Sequence, residues 1–372
     1  MTDRLYLDYN ATAKIRPEVI AALAEAMASV GNASSVHGAG RHARKAVEDA
    51  RRKLAALLGA APNQVIFTSG GTEADNQVMH MCDPARTFVS AVEHPAILDA
   101  CSGARRVPVD AQGIIDLEVL ETLLAEADNP QLVALMLANN ETGVIQPVAA
   151  AADIAHRHGA LLHCDAVQAV GKIPVDFAAL GADTMAMTGH KFGGPQGIGA
   201  LVVRTPDTVD CLMRGGGQEH GLRGGTESVA HITALGVAAE IAQERMDGYA
   251  ALAELRDRME DRLIQSTPGM QVFGGDAPRL PNTSKLMMPG ISSETQVMSF
   301  DLAGIEVSAG SACSAGRIEP PYVLTAMGIQ DADALCALRV SLGWDTTESD
   351  IDRFISEWGK IFDRAAGTRA AD

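Results

Sequence analysis

Apolar positions recur at helical spacing through "RPEVIAALAEAMASV" (16–30), with Pro17 in the first turn. They do so again through "AVEDARRKLAALLGA" (46–60), which closes at Gly59. Beyond residue 64 the pattern changes. Short, nearly continuous apolar runs read as strands buried on both faces: "VIFTS" (65–69), "TFVSA" (87–91), "LVALMLANN" (132–140), "ALLHCD" (160–165), "TMAMT" (184–188) and "ALVVR" (200–204). Helical stretches such as "LEVLETLLAEAD" and "VAAAADIAHRHG" separate several of them. That alternation predicts an α/β fold, with a large domain over 15–250 built on a mostly parallel sheet sandwiched by helices. A helical pattern over 229–266 ends this region and leads into a smaller α+β domain formed by 251–372 together with 1–14. Its strands include "TSKLMM", "IEVSAG" and "LRVSLG", and its last helix follows "DTTESDIDRFISEWGKIF". The N-terminal "LYLDY" reads as a short strand without a sheet of its own.

Composition narrows the partners. The chain has 372 residues, 47% of them apolar and only 4% aromatic, so its core is built mainly from Ala, Leu, Val, Ile and Met. A formal charge of −17 argues against nucleic acid, which needs a basic field and aromatic platforms. The basic run "RHARKAVEDARRK" has acids between its cations and reads as a solvated helix face. No stretch reaches the roughly 18 apolar residues of a membrane span, and "MTDRLYLDYN" is charged where a signal peptide is apolar. The six cysteines form no C-x-x-C pair and no metal-ligand spacing, which fits free thiols in a reducing cytoplasm.

Polar residues collect at the carboxyl ends of the predicted strands, where open parallel sheets bind ligands. "VIFTS" runs into Gly70, Gly71 and Thr72; "TFVSA" into Glu93 and His94; "LVALMLANN" into Asn139 and Asn140. "ALLHCD" delivers Asp165 and Gln168, and "TMAMT" delivers Thr188, His190 and Lys191. The glycines of "FTSGGTEADN" let backbone N–H groups approach a phosphate at the start of a helix, yet no P-loop is present. A lysine amine at its reference pKa of about 10.4 is a poor nucleophile; confinement lowers that value and favours attack on an aldehyde. A carboxylate such as Asp165 facing a pyridine nitrogen keeps it protonated. Lysine, aspartate and phosphate cradle together describe pyridoxal 5′-phosphate. His94 is open to two roles, a cap on the helix after Pro95 or a ring stacked on a cofactor. Cys313 lies among Ser, Ala and Gly in "SAGSACSAGRIEP", which points to an exposed thiol nucleophile. Arg339, an arginine inside an apolar strand, needs an anion; a substrate carboxylate and an internal ion pair both fit.

Taken together, the motifs "GNASSVHGAGRHA", "FTSGGTEADN", "VEHPAIL", "NNETGVIQP", "HCDAVQAVGKIPVD", "GHKFGGPQGIGAL", "GGGQEHGLRGGTE" and "SAGSACSAGRIEPPYVL" resemble the cysteine desulfurases of the NifS/IscS branch. These are class-V aminotransferase family members and fold-type I pyridoxal-phosphate enzymes, and the resemblance runs over nearly the whole chain. It implies that Lys191 carries the cofactor, Asp165 pairs with the ring nitrogen, Gln168 contacts the ring hydroxyl and His94 stacks on the ring. It further implies that Gly71, Thr72, Thr188 and His190 hold the phosphate, joined by Thr226 from the partner subunit of a homodimer. Asn140 and Arg339 would grip the carboxylate of L-cysteine. Cys313 would take the sulfur as a persulfide, leaving alanine, for an iron–sulfur scaffold or another acceptor protein, and could serve there as a transient cluster ligand.

The chain departs from the family pattern at Thr188 (usually Ser), Gln196 (usually Lys), Ser228 (usually Asn), "NATA" for "NATT" and "NTSKLMM" for an "NTLNVSF"-like strand. None of these removes a catalytic group. The short stretch after the last helix favours a NifS-like or specialised member. A selenocysteine lyase, an aminotransferase and a non-catalytic scaffold of the same fold are the alternatives.

Overall fold

The computed structural model describes residues 4–310 and 319–369. Among these residues twelve strands follow in chain order: β1 (Leu5–Tyr6), β2 (Val65–Thr68), β3 (Thr87–Ser90), β4 (Arg105–Val107), β5 (Leu132–Ala134), β6 (Leu161–Asp165), β7 (Thr184–Thr188), β8 (Gly199–Val203), β9 (Gln271–Val272), β10 (Thr283–Met287), β11 (Ile305–Glu306) and β12 (Ala337–Ser341). Seven of them make one sheet in the order β2-β8-β7-β6-β5-β3-β4. Its pairs are parallel except where β8 runs antiparallel between β7 and β2. The expected mostly parallel α/β sheet is therefore present, and β2, β3, β5, β6 and β7 all end on one rim.

Helices cover this sheet because their apolar stripes need a face to bury. Helix Gly38–Leu58 turns Ala43, Val47, Ala50, Leu54 and Leu58 inward and carries the basic run outward, except for Arg51, which is buried. It stops at Gly59, whose φ of +60° supplies the left-handed cap. Gly236 lets helix Val229–Glu244 approach closely, since a Cβ there would sit 2.7 Å from Ala50 Cα.

Three details differ from the sequence pattern. The helical stretch 229–266 is three helices, Val229–Glu244, Met246–Ala250 and Leu252–Ser266. The break at Arg245 switches the buried stripe from one core, with Ile232 and Leu235, to another, with Tyr249, Met259 and Leu263. "LYLDY" finds a partner far along the chain: β1 pairs in parallel with β11. β4 has no sequence signature because it is a three-residue edge strand with two exposed arginines. A second, antiparallel sheet, β12-β10-β9, packs over Phe300, Phe354 and Trp358. No helix among the described residues is long and apolar enough to cross a membrane.

Candidate active site

At the shared rim lies a cavity of about 220 Å³. Gly71, Thr72, His94, Asn140, Asp165, Gln168, Thr188, His190, Lys191 and Arg339 all line it. Helix Gly71–Met79 starts at its edge, so first-turn N–H groups and the positive end of the helix face an adjoining opening lined by Ser69, Gly70, Thr72, Thr188 and His190. Gly71 cannot be larger, because a Cβ would meet Val167 at 2.5 Å. Gly199 is equally constrained, with Met187 O 2.4 Å and Gly70 Cα 2.8 Å from a built Cβ. The glycines around Lys191 thus let β8 and the cradle turn pack against the strand end that carries it.

Lys191 Nζ donates to the carbonyls of Asn10 (2.6 Å) and Ala11 (2.9 Å). Burial, followed by the nearby Arg339 guanidinium, lowers its pKa to about 8. Only the neutral amine attacks a carbonyl. Capture of an aldehyde by the ligand-free protein should accelerate about tenfold per pH unit from pH 6 to 7 and level off above pH 8. Stopped-flow absorbance checks this. Arg339→Met should move the midpoint upward, because the cation that depresses Lys191 is gone.

Asp165 ends β6 and accepts from Val167 N at 2.8 Å. Burial, then the neighbouring Asp75, raises it to about 7. Asp75 itself is raised to about 8 by burial, while burial lowers His163 to about 4. The contact between His163 Nε2 and Asp75 Oδ1 at 3.1 Å is therefore a hydrogen bond between neutral groups rather than an ion pair; Thr184 holds the other ring nitrogen at 2.8 Å. A carboxyl raised in this way gains by receiving a cation, which would return it to the ionised form.

Of the two roles open to His94, the helix cap is present. Its Nδ1 accepts from Ala96 N at 3.1 Å, capping helix Pro95–Leu98, while the ring forms part of the cavity wall. Burial lowers its pKa, so near neutrality the ring is uncharged and its proton is on Nε2. His190, lowered to about 4 chiefly by burial, is neutral too and meets Thr12 Oγ1 at 3.2 Å. Arg339 donates to Asp8 Oδ1 (2.6 Å) and Asn140 O (3.1 Å), so the internal ion pair exists. Its Nε remains buried without a partner, as does Asn140 Oδ1.

Comparison with known proteins gives the family. The family model for aminotransferase class V matches residues 5–354. A cysteine desulfurase of Cereibacter sphaeroides is 41% identical over 97% of this chain and 96% of its own. An IscS-like cysteine desulfurase of Mycobacterium tuberculosis is 40% identical over 93% of each. The X-ray structure of a NifS-like protein from Rickettsia africae superposes with a TM-score of 0.91 at 34% identity, covering 97% of this chain and all of that one. The chain belongs to the class-V aminotransferase family, in its cysteine desulfurase branch.

Some residues of this desulfurase site escape sequence reasoning. Asn10 accepts Lys191 Nζ and Gln168 Nε2 on its carbonyl, and Lys172 Nζ on its side chain at 2.8 Å. Lys172 is fully buried, its pKa held far below normal by burial, and it also donates to Gln168 Oε1 at 2.7 Å. Both ends of the Gln168 amide are thereby fixed. Asp75, Met136, Ala138 and Val167 complete the lining. A polar residue ending "LYLDYN", next to a charged strand, was the available signal for Asn10. One expected site residue is not in the cavity. Thr226 is exposed and does not line it, and Cys313 lies outside the described residues.

Proposed function

We propose that this chain is a cysteine desulfurase that holds pyridoxal 5′-phosphate and moves sulfur from L-cysteine to Cys313, leaving L-alanine. The observation that carries it is the meeting of three chemistries on one cavity. There is an amine lowered to about 8, a buried carboxyl short of a cation and an arginine with an unmatched N–H. These residues fit the cofactor. Lys191 would carry it, Asp165 would face its ring nitrogen, and Gly71, Thr72, Thr188 and His190 would hold its phosphate at the helix start. His94 would lie against the ring and Gln168 beside its hydroxyl.

When bound, the cofactor supplies an electron-withdrawing ring that stabilises negative charge at the substrate's Cα. The chain does the rest. Arg339 and Asn140 bind the substrate carboxylate, with Asp8 as the resting partner that the carboxylate replaces. Neutral Lys191 takes the Cα proton, assisted by His94, whose uncharged ring can pass a proton at Nε2. Cys313 thiolate attacks the substrate sulfur. A sulfur–sulfur bond forms, the sulfur–Cβ bond breaks, and Cβ leaves with the electron pair and is protonated to the methyl of alanine. An acceptor protein or a thiol reductant then removes the outer sulfur.

Homodimerisation belongs to the same reading, with Thr226 of the partner subunit reaching the phosphate. Supporting it, Thr226 is exposed away from its own cavity. Met27, Val30 and Val36 are also exposed, and Val30 lines a groove together with Ala22, Ala26, Val229 and Val237. The division into a large domain (15–250) and a small one (1–14 with 251–372), and residence in a reducing cytoplasm, complete the proposal.

The test is to incubate cofactor-loaded protein with L-cysteine and a thiol reductant. Alanine and sulfide in equal amounts are expected; a 2-oxo acid instead of alanine contradicts the reading. Losing the Arg339 contact removes charged hydrogen bonds of about 2–3 kcal/mol, so Arg339→Met should raise KM for cysteine roughly 30- to 160-fold, measured by initial rates.

A further inference from the structure

The segment that leads to Thr226 is held by an arrangement no part of the chemistry above uses. Arg51, on helix Gly38–Leu58, forms a bidentate pair with Glu219 at 2.8 and 2.9 Å, both side chains almost fully buried. Arg51 also donates to Val65 O, and Glu219 accepts from Phe67 N, so the pair is fixed to β2 itself. Glu219 and His220 have φ of +47° and +58°, a left-handed pair with no glycine. Such backbone persists only where its surroundings over-determine it. From there to residue 225 the chain is tied at each step. Gln77 donates to Leu222 O at 3.0 Å, Arg223 pairs with Glu73 at 2.9 Å, and Gly225 N donates to Gln218 Oε1 at 3.0 Å. Gln77 and Glu73 are on the helix whose first turn borders this chain's own phosphate opening, and Glu73 also accepts from Ser69 N at 2.8 Å.

We infer that Arg51 and Glu219 are positioning residues acting in trans: they set the placement of Thr226 for the partner's cofactor site, which rests on the reading that Thr226 works across the dimer. A buried ion pair stripped of one partner leaves an uncompensated charge, so losing Arg51 releases the segment. The defect then appears in the other subunit's cavity, while the cavity of the altered chain keeps its own residues.

Mixed dimers of differently tagged chains separate the two. In the first, one chain carries Lys191→Ala and the other Arg51→Met; the only intact lysine is then served by a Thr226 whose Arg51 is present. In the second, one chain carries both substitutions beside an unaltered chain; the intact lysine is then served by a Thr226 lacking its anchor. The first should keep about half the wild-type dimer's rate and retain its cofactor on dialysis. The second should turn over at least tenfold slower than the first and lose cofactor at least tenfold faster. Equal behaviour of the two dimers, or a worse first dimer, overturns the inference. Should Arg51→Met dimers not fold, Glu219→Gln, which keeps the side-chain shape and the Phe67 acceptor, goes through the same pairings with the same expected order. Thr226→Val in the same two arrangements is the control for the reading beneath it. No trans effect from Thr226→Val sinks that reading, whereas a trans effect from it without one from Arg51→Met sinks only the role given to the pair.

Discussion

Lys191→Ala should leave a folded protein that binds cofactor without a covalent bond and turns over cysteine at least about 10³-fold more slowly. The size of the effect follows from two duties on one atom. In the proposed function Nζ both attaches the cofactor and takes the Cα proton. Its surroundings are arranged for both. Burial and Arg339 bring the amine to about 8, so an appreciable fraction is neutral at physiological pH, while the carbonyls of Asn10 and Ala11 hold it in place. Folding should survive because, among the described residues, the lysine's hydrogen bonds go to those two backbone carbonyls, on a turn that Asn10 anchors independently through Thr283 and Asn282. Borohydride reduction followed by peptide mass measurement reads the covalent bond directly. A small primary amine should restore part of the rate, because it replaces the missing group without replacing the side chain. Unchanged turnover in Lys191→Ala would remove the lysine from the chemistry.

Cys313→Ser should be as damaging to turnover, about 10³-fold or more, by a different route. Serine keeps the size and loses the sulfur nucleophile. The proposed cofactor-holding residues, Lys191, Asp165, Gly71, Thr72, Thr188 and His190, are unchanged by the substitution, so cofactor absorbance and its pH dependence should match the wild type. Cysteine should still bind with an affinity set by Arg339 and Asn140. The combination of normal cofactor binding, normal substrate binding and absent alanine distinguishes a thiol that attacks sulfur from one that merely supports the structure. An aminotransferase of the same fold would be indifferent to the change.

Much of the site is readable in sequence because the α/β architecture places chemistry where buried strands stop. Asp165 follows four apolar or buried positions, and Lys191 comes three residues after the end of "TMAMT", so strand pattern alone puts both on one rim. Residues that act from inside the packing are not readable that way. Lys172 looks like any solvated lysine, yet it is fully buried against Asn10 and Gln168, neither of which is adjacent in sequence. Lys285 is the unusual residue of "NTSKLMM", and its partner Glu141 at 2.9 Å lies 144 positions earlier, with neither side chain exposed. Asp75 and His163 are similar: one reads as part of a glycine loop, the other as a strand histidine, and only the fold joins them. The helix break at Arg245 has the same origin, since a single amphipathic pattern gives no notice that its stripe will move to a second core.

Everything in the proposed chemistry passes through a sulfur atom leaving the substrate and arriving on one thiol. Mass measurement of the peptide carrying Cys313, after cofactor-loaded protein meets L-cysteine without reductant, tests that transfer directly. A gain of one sulfur atom on that peptide, reversed by a thiol reductant and matched by one alanine per chain, is the expected result. Alanine formed with no added sulfur on Cys313, or sulfur carried on Cys82, Cys101, Cys164, Cys211 or Cys336 instead, would contradict it.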